Sequence, residues 1–275
     1  MAYAQAASSA SSTETGSGTI VDEWTVRQER AGSFGAQWAD FALVQKSWAT
    51  KWRKAHGKLL SHIDRCHLDV RSANRDTLLP VTLQCYRGQL RLEQDALKNE
   101  RTIINQWPGI PAASKTAMPG AIDDLLGAIQ PVVDAIDAKV FTTLDALSDV
   151  RENLRTQYRT PYWQSSARFR ADVALTWLDH LMLSLHTLTQ EGILQPAVQE
   201  KLIATLACYE AAEPLFIAAR DAGILEESHK NFSLAFTIIS PCASLLSEAQ
   251  ALQSASSSSS PAPRSSTRSE VGSSH

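Results

Sequence analysis

Residues 36–62, AQWADFALVQKSWATKWRKAHGKLLSH, decide how the chain folds. The large apolar residues Trp38, Phe41, Val44, Trp48, Trp52, Leu59 and Leu60 recur three, four or seven apart, as on one face of an α-helix. Lys51, Arg53, Lys54 and Lys58 fall largely off that face. A long helix with one apolar stripe must lay that stripe against other helices.

The pattern repeats outward. Leu125, Ile129, Val132, Ile136, Val140, Leu144, Leu147 and Leu154 predict a helix over 121–155. Val173, Trp177, Leu181, Leu185 and Leu188 predict another over 169–189, and further helices are expected near 196–209, 213–225 and 230–252. Gly192 and Gly223 mark helix ends, and Pro196 and Pro214 mark starts. Only residues 80–86, PVTLQCY, alternate as a strand would. The expected class is all-α: an up-and-down four-helix bundle over 20–178 and a helical extension over 179–252.

Residues 105–120, NQWPGIPAASKTAMPG, hold three prolines and two glycines and predict a long loop between helix pairs. The ends, 1–19 and 253–275, are rich in Ser, Ala, Gly and Pro. They bury too little apolar surface to offset ordering, so disordered arms are expected there.

With 44% hydrophobic residues the 275-residue chain has ample material for a core. Its net charge of −3 excludes binding to polyanions through global charge, so any such binding needs a local basic face. Between Lys46 and Arg101 there are twelve Lys or Arg and six Asp or Glu. Between 121 and 150 six aspartates, including Asp123 and Asp124, face a single Lys139. One reading is two solvated faces that neutralise each other; the other is a basic ridge for phosphates. Arg65, Arg71, Arg75, Arg87, Arg91 and Arg101 crowd around Tyr86. Guanidinium forks suit phosphate, and an aromatic beside them offers a stacking face for a base.

No catalytic constellation is present. His56, His62 and His67 lack partners at metal-ligand spacing, and no nucleophile elbow, zinc-protease or phosphate-loop motif occurs, so neither enzyme chemistry nor a cofactor or metal is expected. Cys66, Cys85, Cys208 and Cys242 are widely spaced and are expected to be free, mostly buried thiols in a reducing compartment. No signal peptide is apparent. The longest apolar runs fall well short of a membrane span, so no membrane partner is expected.

Two stretches resemble the coat proteins of rod-shaped plant viruses of the hordeivirus and pecluvirus kind. The first is Val21-Asp-Glu-Trp-Thr-Val-Arg-Gln-Glu-Arg-Ala-Gly-Ser-Phe34, with Trp24 in its acidic-Trp pair, followed by Trp38, Phe41 and Trp48. The second is Arg159-Thr-Pro-Tyr-Trp-Gln-Ser-Ser-Ala-Arg-Phe-Arg-Ala-Asp-Val-Ala-Leu-Thr-Trp177, a Pro-Tyr turn leading into an aromatic and charged helix. Cys85-Tyr86-Arg87 stands between them, where the family carries an aromatic-Arg element. The resemblance covers about 20–178.

The resemblance implies a tobacco-mosaic-like bundle whose copies stack into a helical rod around single-stranded viral RNA, found in the virion and the host cytoplasm. Arg75, Arg87, Arg91, Arg101 and Tyr86 are then expected at the RNA. Asp123 and Asp124 would begin the return helix, as caps or as carboxylates near phosphates and subunit contacts. Trp24, Trp38, Trp48, Tyr162, Trp163, Phe169 and Trp177 would be core or lateral-contact groups, and 105–120 would line the central hole. Two alternatives remain: a helical nucleoprotein of a negative-strand virus, and a helical adaptor that binds no nucleic acid.

Overall fold

The computed structural model describes residues 38–190 and 194–258, and among them no strand is present: the protein is all-α. In chain order the helices are α1 (Trp38–Ser72), α2 (Leu78–Ile104), α3 (Ala112–Asp137), α4 (Leu144–Asn153), a π-helical turn (Leu154–Arg159), α5 (Thr160–Gln190), α6 (Pro196–Asp221) and α7 (Leu225–Ser258). Each packs mainly on its neighbours in sequence, except that α3 also lies against α5. The arms expected at 1–19 and 253–275 lie outside the described residues, apart from the end of α7.

Two apolar cores organise these helices. In the first, Leu90 and Leu97 of α2 meet Ile122, Leu125, Ile129 and Val133 of α3, with Phe41 of α1 and Phe169 of α5 closing it. In the second, Leu178, Met182 and Leu185 of α5 meet Tyr209, Ala212 and Phe216 of α6 and Ile239 and Cys242 of α7. Helix α5 runs unbroken through position 178, where the boundary of the extension was expected, and its Trp177 packs against both cores.

Several expectations need correction. The alternating stretch 80–86 is helical, because Tyr86, Leu90 and Leu97 continue a buried helical stripe and Pro80 sits in the first turn, where a missing N–H is tolerated. The loop is confined to 105–111 and is anchored, not free: Trp107 and Ile110 are buried, and Trp107 meets Phe41 edge-on at 5.0 Å. Helix α3 begins at Ala112 and carries Pro119 and Pro131 inside it, because the stripe Met118, Ile122, Leu125, Ile129, Val133 and Ile136 is buried and packing overrides local propensity. Asp123 and Asp124 therefore lie about three turns into α3 and cap nothing.

The helix expected over 121–155 breaks after Asp137. There Lys139 adopts a left-handed backbone (φ 55°), and Thr143 caps α4 by accepting a hydrogen bond from the Ala146 N–H at 3.2 Å. Pro214 lies inside α6, so the three short C-terminal helices are two long ones. Both α6 and α7 are long and apolar enough to cross a membrane by length and composition, which corrects the expectation of no such run; the core helix of a globular protein passes the same test.

All four cysteines are paired. Cys66–Cys85 ties α1 to α2 and Cys208–Cys242 ties α6 to α7, with Cα atoms 5.5 and 5.8 Å apart. This replaces the expected free thiols. Sequence spacing could not show it, because each pair is brought together only by an antiparallel helix packing.

Candidate nucleic-acid interface

Three of the four arginines named from the sequence, Arg87, Arg91 and Arg101, are committed to carboxylates. Arg87 binds Asp137 through both of its fork nitrogens, Nη2 at 3.1 Å, and Arg91 reaches the same carboxylate at 3.3 Å. Arg101 holds Asp123 through contacts of 2.6 and 2.8 Å. These pairs join α2 to α3, so the basic and acidic segments neutralise each other at these three arginines and two aspartates. They lower the Asp137 carboxyl below its ordinary value, through the Arg87 hydrogen bond first. Asp124 is exposed and makes no ion pair among the described residues. Arg75 is exposed in the turn after α1.

Tyr86 is not available to a base. It is 4% exposed, its ring lies under the Arg151 guanidinium at 5.4 Å, and its hydroxyl is buried close to Arg159. Burial raises its pKa. Its expected role as a stacking face is corrected: position 86 falls on the stripe that faces the core.

Among the cations that make no ion pair with a described residue, four align on α1. At 100° per residue, Lys51, Lys54, Lys58 and Arg65 fall within about 60° of one another around the helix axis and span about 21 Å along it. All four are exposed, and none makes an ion pair among the described residues; Arg65 donates only to the Ser61 carbonyl at 3.2 Å. Asp69 ends the stripe. The spacing 51, 54, 58, 65 is visible in the sequence, but arginine density drew the reading to α2 instead.

Beside this stripe a cleft of about 420 Å³ opens between α1, α2 and α5. Trp48, Trp52 and His56 form a ladder along its α1 wall, the last two stacked at 4.7 Å and 9°. On the opposite element Arg159 forks onto Glu93 at 2.8 and 2.6 Å, at 11% and 18% side-chain exposure. The Tyr162 hydroxyl donates to Glu100 at 2.6 Å, and burial raises the pKa of both groups. The π-helical turn just before Pro161 sets Arg159 and Tyr162 facing α2; the Thr160 N–H bonds the Arg155 carbonyl there.

The remaining aromatic positions divide. Phe169 is buried, while Trp48, Tyr162 and Trp177 are partly buried against the cores. Trp163 is 41% exposed and is not a core residue. Trp24 lies outside the described residues, and Trp38 begins α1. Among the described residues no cluster of His, Cys, Asp or Glu could hold a metal ion. Compared with protein-family models, with curated proteins and with solved structures, the chain matches none.

Proposed function

We propose that this chain is a non-enzymatic coat subunit that covers single-stranded viral RNA and associates with copies of itself into a helical rod, forming the virion in the host cytoplasm. One observation carries the RNA part: the unpartnered, exposed stripe Lys51, Lys54, Lys58 and Arg65 on α1. Four aligned cations without carboxylate partners suit a phosphate backbone and read no sequence, which a coat covering every stretch of a genome requires. On this reading α1, α2, α3 and the first half of α5 are the four-helix bundle of the tobacco-mosaic-like kind, and α6 with α7 is its extension.

The arginines of α2 enter this reading in a second role. Arg87, Arg91 and Arg101 reach RNA only by exchanging Asp137 and Asp123 for phosphates, an exchange that acid favours by protonating the aspartates. Asp124 beside them supplies the repulsion that loosens a rod when counter-ions dilute.

The test is negative-stain electron microscopy of the purified chain with and without single-stranded RNA, from mildly acidic to neutral pH. Stacked discs or rods lengthened by RNA support the coat. Small uniform particles in every condition refute it and leave the helical adaptor. A second reading, the nucleoprotein of a negative-strand virus, draws on the two cores joined by α5. It predicts flexible beaded strands or closed rings with RNA in place of rigid rods.

A further inference from the structure

The α1–α5 cleft holds aromatic surface that neither core uses. Trp163 of α5 is 41% exposed and has no ring partner among the described residues. Trp52 of α1, 46% exposed, lines the same cleft. Trp163 thus offers an uncovered indole face at a concave place, bordered by Trp52, whose own ring stacks on His56 at 4.7 Å.

The surroundings say what that something carries. Lys51, the first residue of the phosphate stripe, lines this cleft, so a backbone tracking the stripe arrives at its mouth. Arg170 lines the other side; it donates to its own helix at the Ser166 carbonyl and makes no ion pair of hydrogen-bonding length among the described residues. The acidic groups inside are already engaged, Glu93 by Arg159 and Glu100 by Tyr162. Cations at the rim, Glu93 neutralised by Arg159 and Glu100 hydrogen-bonded by Tyr162 with the Arg170 charge nearby fit an anionic chain bearing flat rings.

We propose that this cleft takes one unpaired base of single-stranded RNA, stacked on Trp163 and bounded by Trp52, with Lys51 and Arg170 at the flanking phosphates. The proposal rests on the RNA reading above. Every base offers a π-face, so the cleft anchors the strand without selecting a sequence. It gives the stacking role to Trp163 in place of the buried Tyr86.

The experiment compares a short single-stranded oligoadenylate with an abasic oligomer of equal phosphate count, both labelled, by fluorescence anisotropy on the full chain. The unsubstituted protein is expected to bind the oligoadenylate about tenfold more tightly than the abasic strand. Trp163→Ala and Trp52→Ala should abolish most of that ratio, and Trp163→Phe should keep it. Lys54→Gln with Lys58→Gln should weaken both strands alike and leave the ratio intact. Equal ratios in the unsubstituted protein and in both alanine variants overturn the base-binding cleft and leave phosphate binding standing. Binding of neither strand by the unsubstituted protein refutes the RNA reading and the cleft with it. An unchanged ratio, with Trp163→Ala altering the sedimentation of the RNA-free protein, makes the cleft a contact between copies and also overturns the proposal.

Discussion

Arg87 and Asp137, fifty positions apart in the chain, bind each other by a forked ion pair that also draws in Arg91, so a single carboxylate on α3 holds two cations of α2. Because the Asp137 carboxyl is held below its ordinary value, the pair stabilises the fold above the usual carboxylate range, and that contribution is lost as pH falls through the lowered value. The partners are well exposed, so the effect is small and salt-sensitive. Asp137→Asn should lower the melting temperature slightly at neutral pH and not in acid. It should also raise affinity for single-stranded RNA by releasing Arg87 and Arg91. Unchanged affinity would mean that these arginines lie away from the strand.

The α1 stripe makes a sharper claim. If Lys54 and Lys58 each neutralise one phosphate, replacing both with Gln removes about 1.4 from the slope of log affinity against log salt. Titrations at several salt concentrations measure that slope. The same double change in Arg87 and Arg91 should alter the slope less, because Asp137 already occupies them. The reverse ranking would return the phosphate site to α2.

Much of this architecture is legible from periodicity, and the failures share a cause. The stripe from Phe41 through Trp48 and the run from Val173 to Leu185 are where their spacing puts them, because amphipathic helices announce their buried face. Residues 112–120 read as loop since Pro119 and Gly120 weigh against helix locally, whereas Met118 and Ile122 bury completely and outweigh them. The disulfides and the Arg87–Asp137 and Arg159–Glu93 pairs are tertiary, with partners that no local pattern identifies. Tyr86 misled for the same reason: an aromatic among arginines reads alike whether it faces water or core.

Reduction tests the two cross-links. Closing loops of 19 and 34 residues, each disulfide should contribute about 3–4 kcal/mol by the chain-entropy argument. A reducing agent should lower the melting temperature, and Cys208→Ser with Cys242→Ser should reproduce the share belonging to the α6–α7 hairpin. Thiol labelling of the native protein checks the premise: no thiol should react before reduction.

Trp177 bridges both cores, so it should couple their unfolding. Ile122→Ala and Phe216→Ala each remove a fully buried side chain from one core and should cost about 2–5 kcal/mol. In calorimetry either change should shift one common transition. Trp177→Ala should instead separate it into two, since α5 would then span the cores without the side chain that packs on both. A single transition in that variant would show that the helix backbone alone transmits the coupling.

Glu100 offers a pH test of the cleft. Burial raises its carboxyl above the ordinary value of 4.5, opposed by the hydrogen bond from Tyr162 and the charge of Arg170. Below the ordinary value both folded and unfolded chains hold the proton, and Glu100 costs nothing. As pH rises the unfolded chain ionises first, so stability falls until the folded carboxyl also ionises, and the deficit persists at neutral pH. Glu100→Gln keeps an oxygen to accept from Tyr162 and removes the charge. It should therefore raise the melting temperature at neutral pH and leave it unchanged in acid. A gain of equal size at both pH values would place the cause in packing and not in ionisation. A loss at neutral pH would mean that the Arg170 charge, which opposes burial, outweighs it.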